Sequence, residues 1–401
     1  MSEPFVNRTW GCIFCHMSRL RKQSVLAIML LNETQERLEN HMKLIKIGDP
    51  EVIMSNPDSK HNYFAWPTIA KLQNGKLAVV ASGYRMRHVC PFGKSVIAYS
   101  EDEGKTYTAP APVIDTVLDD RDSGILAVGE DHVIVTSFNL TLDAQNARIP
   151  KEDTYSRAYH ETLTRADEER YMGSLFRISS DQGITFGPIY KSPVSSPHGP
   201  IRLRDESVLW VGKTYTRDSE AGIGFNGIQA HKVHLDGTTE FVGQMERMEV
   251  DGVRPLMCEP HAIELSDGRI LCHVRVEDVV NRKFDTVYQS VSNDQGHTWS
   301  SPVPVLPPKG GAPAHLLRHS SGVLISAYSY RQNPTGIHVM FSKDEGESWD
   351  MAHELYVNDV NWDLGYPSTV ELSDGSLLTV FYAHPAEGEP AVILQQRWTF
   401  E

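Results

Sequence analysis

Cysteine is scarce in this chain: five among 401 residues, at Cys12, Cys15, Cys90, Cys258 and Cys272. So few, and so scattered, they exclude a disulfide framework as the basis of the fold and favour a reducing compartment, so the expected location is the cytoplasm. Long apolar runs are missing too. The longest, Val25 to Leu31, falls far short of the roughly 20 residues that cross a bilayer. Arg19, Arg21 and Lys22 precede it, but no small-residue cleavage site follows as a signal peptide requires. Positive charge is also in short supply. With 38 basic against 52 acidic residues and a net charge of −14, neither nucleic acid nor a membrane is an expected partner, although a local basic pocket is compatible with that balance. There is no glycine-rich phosphate loop, no serine elbow and no His-x-x-x-His spacing, so neither a metal nor a cofactor is expected. Cys12-x-x-Cys15-His16 lacks a second Cys/His pair to complete a zinc site. Residues 1–41, with a short helix expected over Glu33 to His41, read as an extension outside the working domain, 42–401.

What the chain does have is repetition. Ser292-Asn293-Asp294-Gln295-Gly296-His297-Thr298-Trp299 has the form Ser-x-Asp-x-Gly-x-Thr-aromatic. Related copies start at Ser100, Ser179 and Ser342, and end on Tyr107, Phe186 and Trp349. In each, the Asp carboxylate can accept from backbone N–H groups of its own turn, Gly supplies an unusual φ, and the aromatic tucks under the next strand. These elements resemble the Asp-box repeats of the sialidase superfamily.

A second repeat interleaves with the first. Trp66-Pro67, Glu259-Pro260 and Tyr366-Pro367 each precede a strand, an Asn-Gly or Asp-Gly hairpin and another strand. Looser copies start at Asp122-Ser123, Pro197-His198 and Pro313-Ala314, making six. Together the repeats give four strands per unit at a spacing suited to propeller blades. The expected fold is therefore all-β, a six-bladed β-propeller. Its third-to-fourth-strand turn in blade 3 is the degenerate Leu235-Asp236-Gly237-Thr238, and the sixth box is missing. The ring is expected to close by pairing Ala391 to Phe400 with a strand from Met42 to Met54. One unit is oversized: Ala144 to Tyr171, polar and helix-prone, forms an insertion in blade 2 on the mouth face. It is expected to be a lid bringing Arg148, Arg157, His160 and Arg165 to the site, with its acidic residues facing solvent or paired locally. A contact between copies of the chain, giving a homo-oligomer, is the alternative.

Hairpins and boxes occupy one face of such a disc. The other face collects the residues just before each first strand and just after each second strand. Acids, arginines, histidines and a tyrosine converge there, making it the candidate site. The resemblance to sialidases then assigns roles. In that family a Tyr attacks the anomeric carbon and a Glu serves as its base, which implies Tyr366 and Glu259 here. The family's later arginines imply Arg275 and Arg331 as ligands of an acidic sugar. Two features depart from the family. Phe64-Ala65-Trp66-Pro67 lacks the arginine of its opening Phe/Tyr-Arg-Ile-Pro motif, so Arg85, Arg87 or Arg121 is expected to compensate. The blade 1 loop lacks the acid/base Asp, leaving Asp122 as candidate acid and the His88 imidazole as a second proton donor. His198, His261 and His315 recur at similar ring positions and are candidate ligand contacts. The resemblance implies an exo-acting glycoside hydrolase for a glycan with a terminal acidic sugar. A uronate-directed hydrolase or lyase using a histidine, and a glycan-binding propeller without catalysis, are the alternatives.

Overall fold

Six four-stranded antiparallel patterns succeed one another along the chain in a computed structural model that describes residues 41–221 and 225–401. Cys12, Cys15, His16 and the expected N-terminal helix, all but His41 of it, lie outside the described residues. Blade 1 runs from Tyr63–Lys71 through Leu77–Arg85 and Lys94–Ser100 to Ala111–Ile114. Blade 2 comprises Arg121–Val128, His132–Asn139, Gly173–Ser179 and Tyr190–Ser192. In blade 3 the innermost position is split between Val194–Ser195 and Ile201–Arg202, followed by Val208–Thr214, Ile228–Val233 and Thr239–Gln244. Blades 4 and 5 begin at Leu256–Glu264 and Ala314–Arg318. Blade 6 combines Gly365–Glu371, Leu377–Ala383 and Val392–Phe400 with Leu44–Met54, whose Leu44 is registered against Phe400.

The burial pattern follows strand position. Second strands are packed on both faces and read as apolar runs, as in Leu-Leu-Thr-Val-Phe-Tyr-Ala over Leu377–Ala383, buried throughout. Outer strands face water on one side and alternate, as Asp350–Val357 does. The core consequently lies between blades. Val79 and Ala98 of blade 1 and Val380 and Ile393 of blade 6 belong to one buried cluster, with Tyr107 of the first box packed against it.

The four boxes share one geometry. The Gly N–H donates to the Ser Oγ at 2.8 Å in every copy. The Asp Oδ1 accepts the N–H of Thr106, Thr185, Thr298 or Ser348 at 2.8–2.9 Å. The left-handed backbone extends one residue further than expected: Glu103, Gln182, Gln295 and Glu345, just before each Gly, have φ of 57–60°. Each box joins a third strand to a fourth. In blade 6 those strands are Val392–Phe400 and Leu44–Met54, far apart in the chain, so no connection exists there to carry a sixth box.

Between the second and third strands of blade 2, three short helices, Leu142–Asn146, Thr154–His160 and Arg165–Tyr171, form the insertion. Thr141, Asp153 and Thr164 cap them, each side chain accepting a backbone N–H of the first turn.

Candidate functional site at the propeller mouth

Four first strands carry the same irregularity at their mouth ends. Trp66, Asp122, Glu259 and Tyr366 adopt φ of 54°, 39°, 49° and 54°, and the pairing register to the second strand slips at each point. Left-handed backbone costs a non-glycine residue about 1–3 kcal/mol, so four repeats of it need compensation elsewhere in the fold. The bulge breaks strict alternation and re-aims one side chain per blade. The residues re-aimed are two acids, the tyrosine and the tryptophan.

The Tyr366 hydroxyl donates to Glu259 Oε1 at 2.5 Å. Burial, then the negative charges of Glu259 and Asp122, push this phenol well above its ordinary pKa. Burial works against the Glu259 charge, but Arg275, the Tyr366 hydroxyl and Arg331 outweigh it and hold the carboxyl below the usual range. The pair is therefore phenol and carboxylate, and the 2.5 Å hydrogen bond places Glu259 to receive the proton as the phenol attacks.

Arg275 donates to Glu259 at 3.0 Å, to Glu277 at 3.1 Å and to both oxygens of Asp285 at 2.8 and 3.0 Å. Three carboxylates already hold this guanidinium, so it braces Glu259 and has little left for a ligand. Arg331 is different. It donates to the carbonyls of Ala312 and Leu364, its buried Nε has no hydrogen-bond partner, and it lies 5.8 Å from the Tyr366 ring centroid.

Asp122 is 6 % exposed and its Oδ1 lacks a partner. Burial, opposed by Arg121 and assisted by Glu259, pushes its carboxyl up to about 7. Near neutrality it can donate or accept a proton.

The arginines sort themselves by burial. Arg85, expected to face a ligand, is instead fully buried, paired with Asp119 at 2.6 Å and donating to Ser82 and to the His88 carbonyl. Arg87 pairs with Asp153 of the insertion. Arg121 lies 4.2 Å over the Trp66 ring and donates to the His88 carbonyl at 2.7 Å. Arg121 also approaches His88 Nε2 at 3.4 Å, while His88 Nδ1 lies 3.0 Å from Asp363 Oδ1. An arginine only donates, so Nε2 carries the lone pair and Nδ1 the proton. Burial, together with the Arg121 charge, overrides Asp363 and lowers the His88 pKa. A neutral imidazole whose proton is committed to Asp363 is poorly placed as the acid expected from sequence.

Asp363 is the residue that sequence reasoning missed. It also accepts from Tyr63 at 2.7 Å and Tyr382 at 2.8 Å, and lies 3.4 Å from His384. The only available signal was its place on the mouth side, just ahead of Tyr366.

An off-axis cavity of about 380 Å³ opens between blades 2, 3 and 4. Asp122 and Glu259 form its inner wall; Phe138, Leu140, Tyr215 and Leu256 its apolar sides; Lys213 and Arg148 bring positive charge. Of the four basic residues expected from the insertion, Arg148 alone lines this cavity. Arg157 donates to the Ile149 and Pro150 carbonyls, His160 bonds to Leu142, and Arg165 pairs with Asp143 and Glu168, so these three fasten the insertion to itself. Glu168, expected to face solvent or pair locally, pairs locally: it is 3 % exposed, holds Arg165 at 2.8 Å and accepts the Leu142 N–H.

His198, His261 and His315 gather away from the cavity, with ring centroids 4.4–5.5 Å apart. His261 Nδ1 accepts the Leu316 N–H, and burial lowers all three well below the ordinary histidine range. Gly124 permits this packing, since a Cβ there would lie 2.4 Å from Gly199 N. These neutral imidazoles join the innermost strands and do not line the cavity. Among the described residues, no mouth side chains form a donor group spaced for a metal ion, and no helix is long and apolar enough to cross a membrane.

A family model described as a BNR repeat-like domain matches residues 178–379. No curated protein matches the sequence significantly. Among solved structures, a Dyadobacter fermentans protein of unknown function superposes with a TM-score of 0.67 at 19% identity, over 90% of this chain and 100% of that one. NanB sialidase from Streptococcus pneumoniae gives 0.62 at 12% identity, covering 87% and 70%. Trypanosoma rangeli sialidase, bound to the inhibitor DANA, gives 0.59 at 14%, covering 89% of this chain and 59% of its own length. At such identities the likeness carries the fold alone.

Proposed function

The chain belongs to the BNR repeat-like domain family, and from that premise we propose that it is an exo-acting glycoside hydrolase releasing a terminal acidic sugar, sialic acid or a relative, from glycans. The observation that carries the reading is the 2.5 Å hydrogen bond from Tyr366 to Glu259, with Asp122 charge-coupled to both. Tyr366 attacks the anomeric carbon as its proton passes to Glu259. The bond to the leaving oxygen breaks, and Asp122 gives that oxygen its proton. Asp122, now a carboxylate, takes a proton from water, which attacks the same carbon; the phenolate leaves and recovers its proton from Glu259. A neutral phenol suits an anionic substrate because a carboxylate nucleophile would repel it. Arg331, Arg121 and Arg148 are the cations left to meet the sugar's acid group.

A second reading rests on His88. Its neutral imidazole, backed by Asp363 and beside Arg121, also suits proton abstraction next to a uronate carboxylate. A screen of 4-methylumbelliferyl sialoside beside uronide and neutral glycosides separates the readings. Cleavage of the sialoside alone supports the first. Turnover confined to uronides, or to none of the glycosides, overturns it.

A further inference from the structure

A second cavity of about 380 Å³ lies on the mouth face between the insertion and blade 3, outward from the first. The two share a wall, Tyr215, which is 9 % exposed and lines both. We propose that this outer cavity binds the neutral sugar unit next to the acidic one, so that the substrate is an oligosaccharide lying radially across Tyr215; the proposal rests on the glycosidase reading above.

Three observations carry it. The cavity has the size of a small-ligand site and adjoins the inner one at Tyr215. Its lining suits a pyranose: Tyr215, Met172 and Pro193 offer an apolar surface, while Arg217, Lys191 and Glu169 offer charged hydrogen-bonding groups. Finally, the Ser174 hydroxyl on its wall is 1 % exposed and has no hydrogen-bond partner among the described residues. Buried hydroxyls are seldom left unpaired, and a sugar hydroxyl would supply what is missing. The insertion thus has two faces, Arg148 toward the inner cavity and Glu168, Glu169 and Met172 toward the outer one.

The test uses the full chain, its Arg217→Ala variant and its Ser174→Met variant, which fills the cavity. Saturation-transfer NMR with lactose alone should show binding to wild type, lost in Ser174→Met. Because lactose carries no acidic sugar, this arm stands even where the glycosidase reading fails. With 3′-sialyllactose, Arg217→Ala should raise KM by ~tenfold through loss of a charged hydrogen bond. Its kcat/KM for the aryl sialoside should stay within about twofold, since the aryl group at that position has no sugar hydroxyls for Arg217 to bond. No lactose signal with wild type, an unchanged signal in Ser174→Met, or equal losses on both substrates overturns the proposal. Absence of all hydrolysis by wild type overturns the glycosidase reading instead, and the lactose arm alone then decides.

Discussion

Replacing Asp122 with asparagine tests the assignment of the acid in two independent ways. An aspartate ordinarily titrates near ~3.9; at about 7, Asp122 is displaced by about 3 units, equivalent to about 4 kcal/mol in favour of the protonated form. Between these values the folded chain binds more protons than the unfolded one, so stability falls as pH rises from about 4 to about 7. Above about 7 the carboxylate sits in the core at full cost. An amide at this position has no charge to bury, so Asp122→Asn should be more stable than wild type at pH 8, by up to about 4 kcal/mol, and close to it at pH 4. Asp120 is also pushed up to about 7, but it titrates in both proteins and cancels in the difference. The second readout is kinetic. Wild-type kcat/KM on a glycan should fall ~tenfold per pH unit above about 7, because only protonated Asp122 can supply the leaving oxygen. Asp122→Asn should lose ~10²- to 10⁴-fold in kcat/KM on that substrate and far less in kcat/KM on an aryl glycoside, whose leaving group needs no proton; the later loss of the base for water lowers kcat on both alike. Denaturant melts at pH 4 and pH 8, with initial rates on both substrates, complete the assay. A stability difference that does not change with pH, or equal losses in kcat/KM on the two leaving groups, refutes the assignment.

Glu259→Gln and Tyr366→Phe should each lower kcat by roughly 10³-fold, and the double variant should be little worse, because the pair acts as one unit; wild-type rates in either single variant would end the nucleophile reading. Replacing residues 145–168 with a short Gly-Ser linker removes Arg148 and the Asp153 partner of Arg87, so activity should fall in a folded protein whose light-scattering mass is unchanged; dissociation with activity kept would show an oligomer contact instead. Gly124→Ala forces a Cβ against Gly199 and should destabilise the fold by about 1–3 kcal/mol in chemical melts; an unchanged midpoint would mean that the axis is looser than its geometry implies.

The fold was legible because Asp boxes depend on residue identity. Ser, Asp and Gly recur wherever the turn must satisfy the same backbone donors, and the apolar second strands between them need only be counted. Glu259 and Tyr366 were legible as unusual residues at repeated strand starts. The partition among Arg85, Arg87 and Arg121 was not. Alternation cannot predict the side of Arg121, because the bulge at Asp122 interrupts it. Nor does a sequence disclose Asp119, the buried carboxylate that claims Arg85. Asp363 was hidden for another reason: its segment between blades 5 and 6 belongs to no repeat, and its partner His88 lies at the far end of the chain.

The antiparallel register of Leu44 against Phe400 has a temporal consequence. On a ribosome, blades 1 to 5 can each assemble from consecutive strands as they emerge, but Leu44–Met54 must wait, unpaired, until Val392–Phe400 has been made. A polypeptide halted before Val392 would hold five finished blades beside a two-strand stub, with open strand edges of the kind that invite aggregation. Val392–Phe400 is thus the latch on the ring, and a protease that recognises unpaired strands would tell a chain halted before it from one that has it, without reading any of its active site.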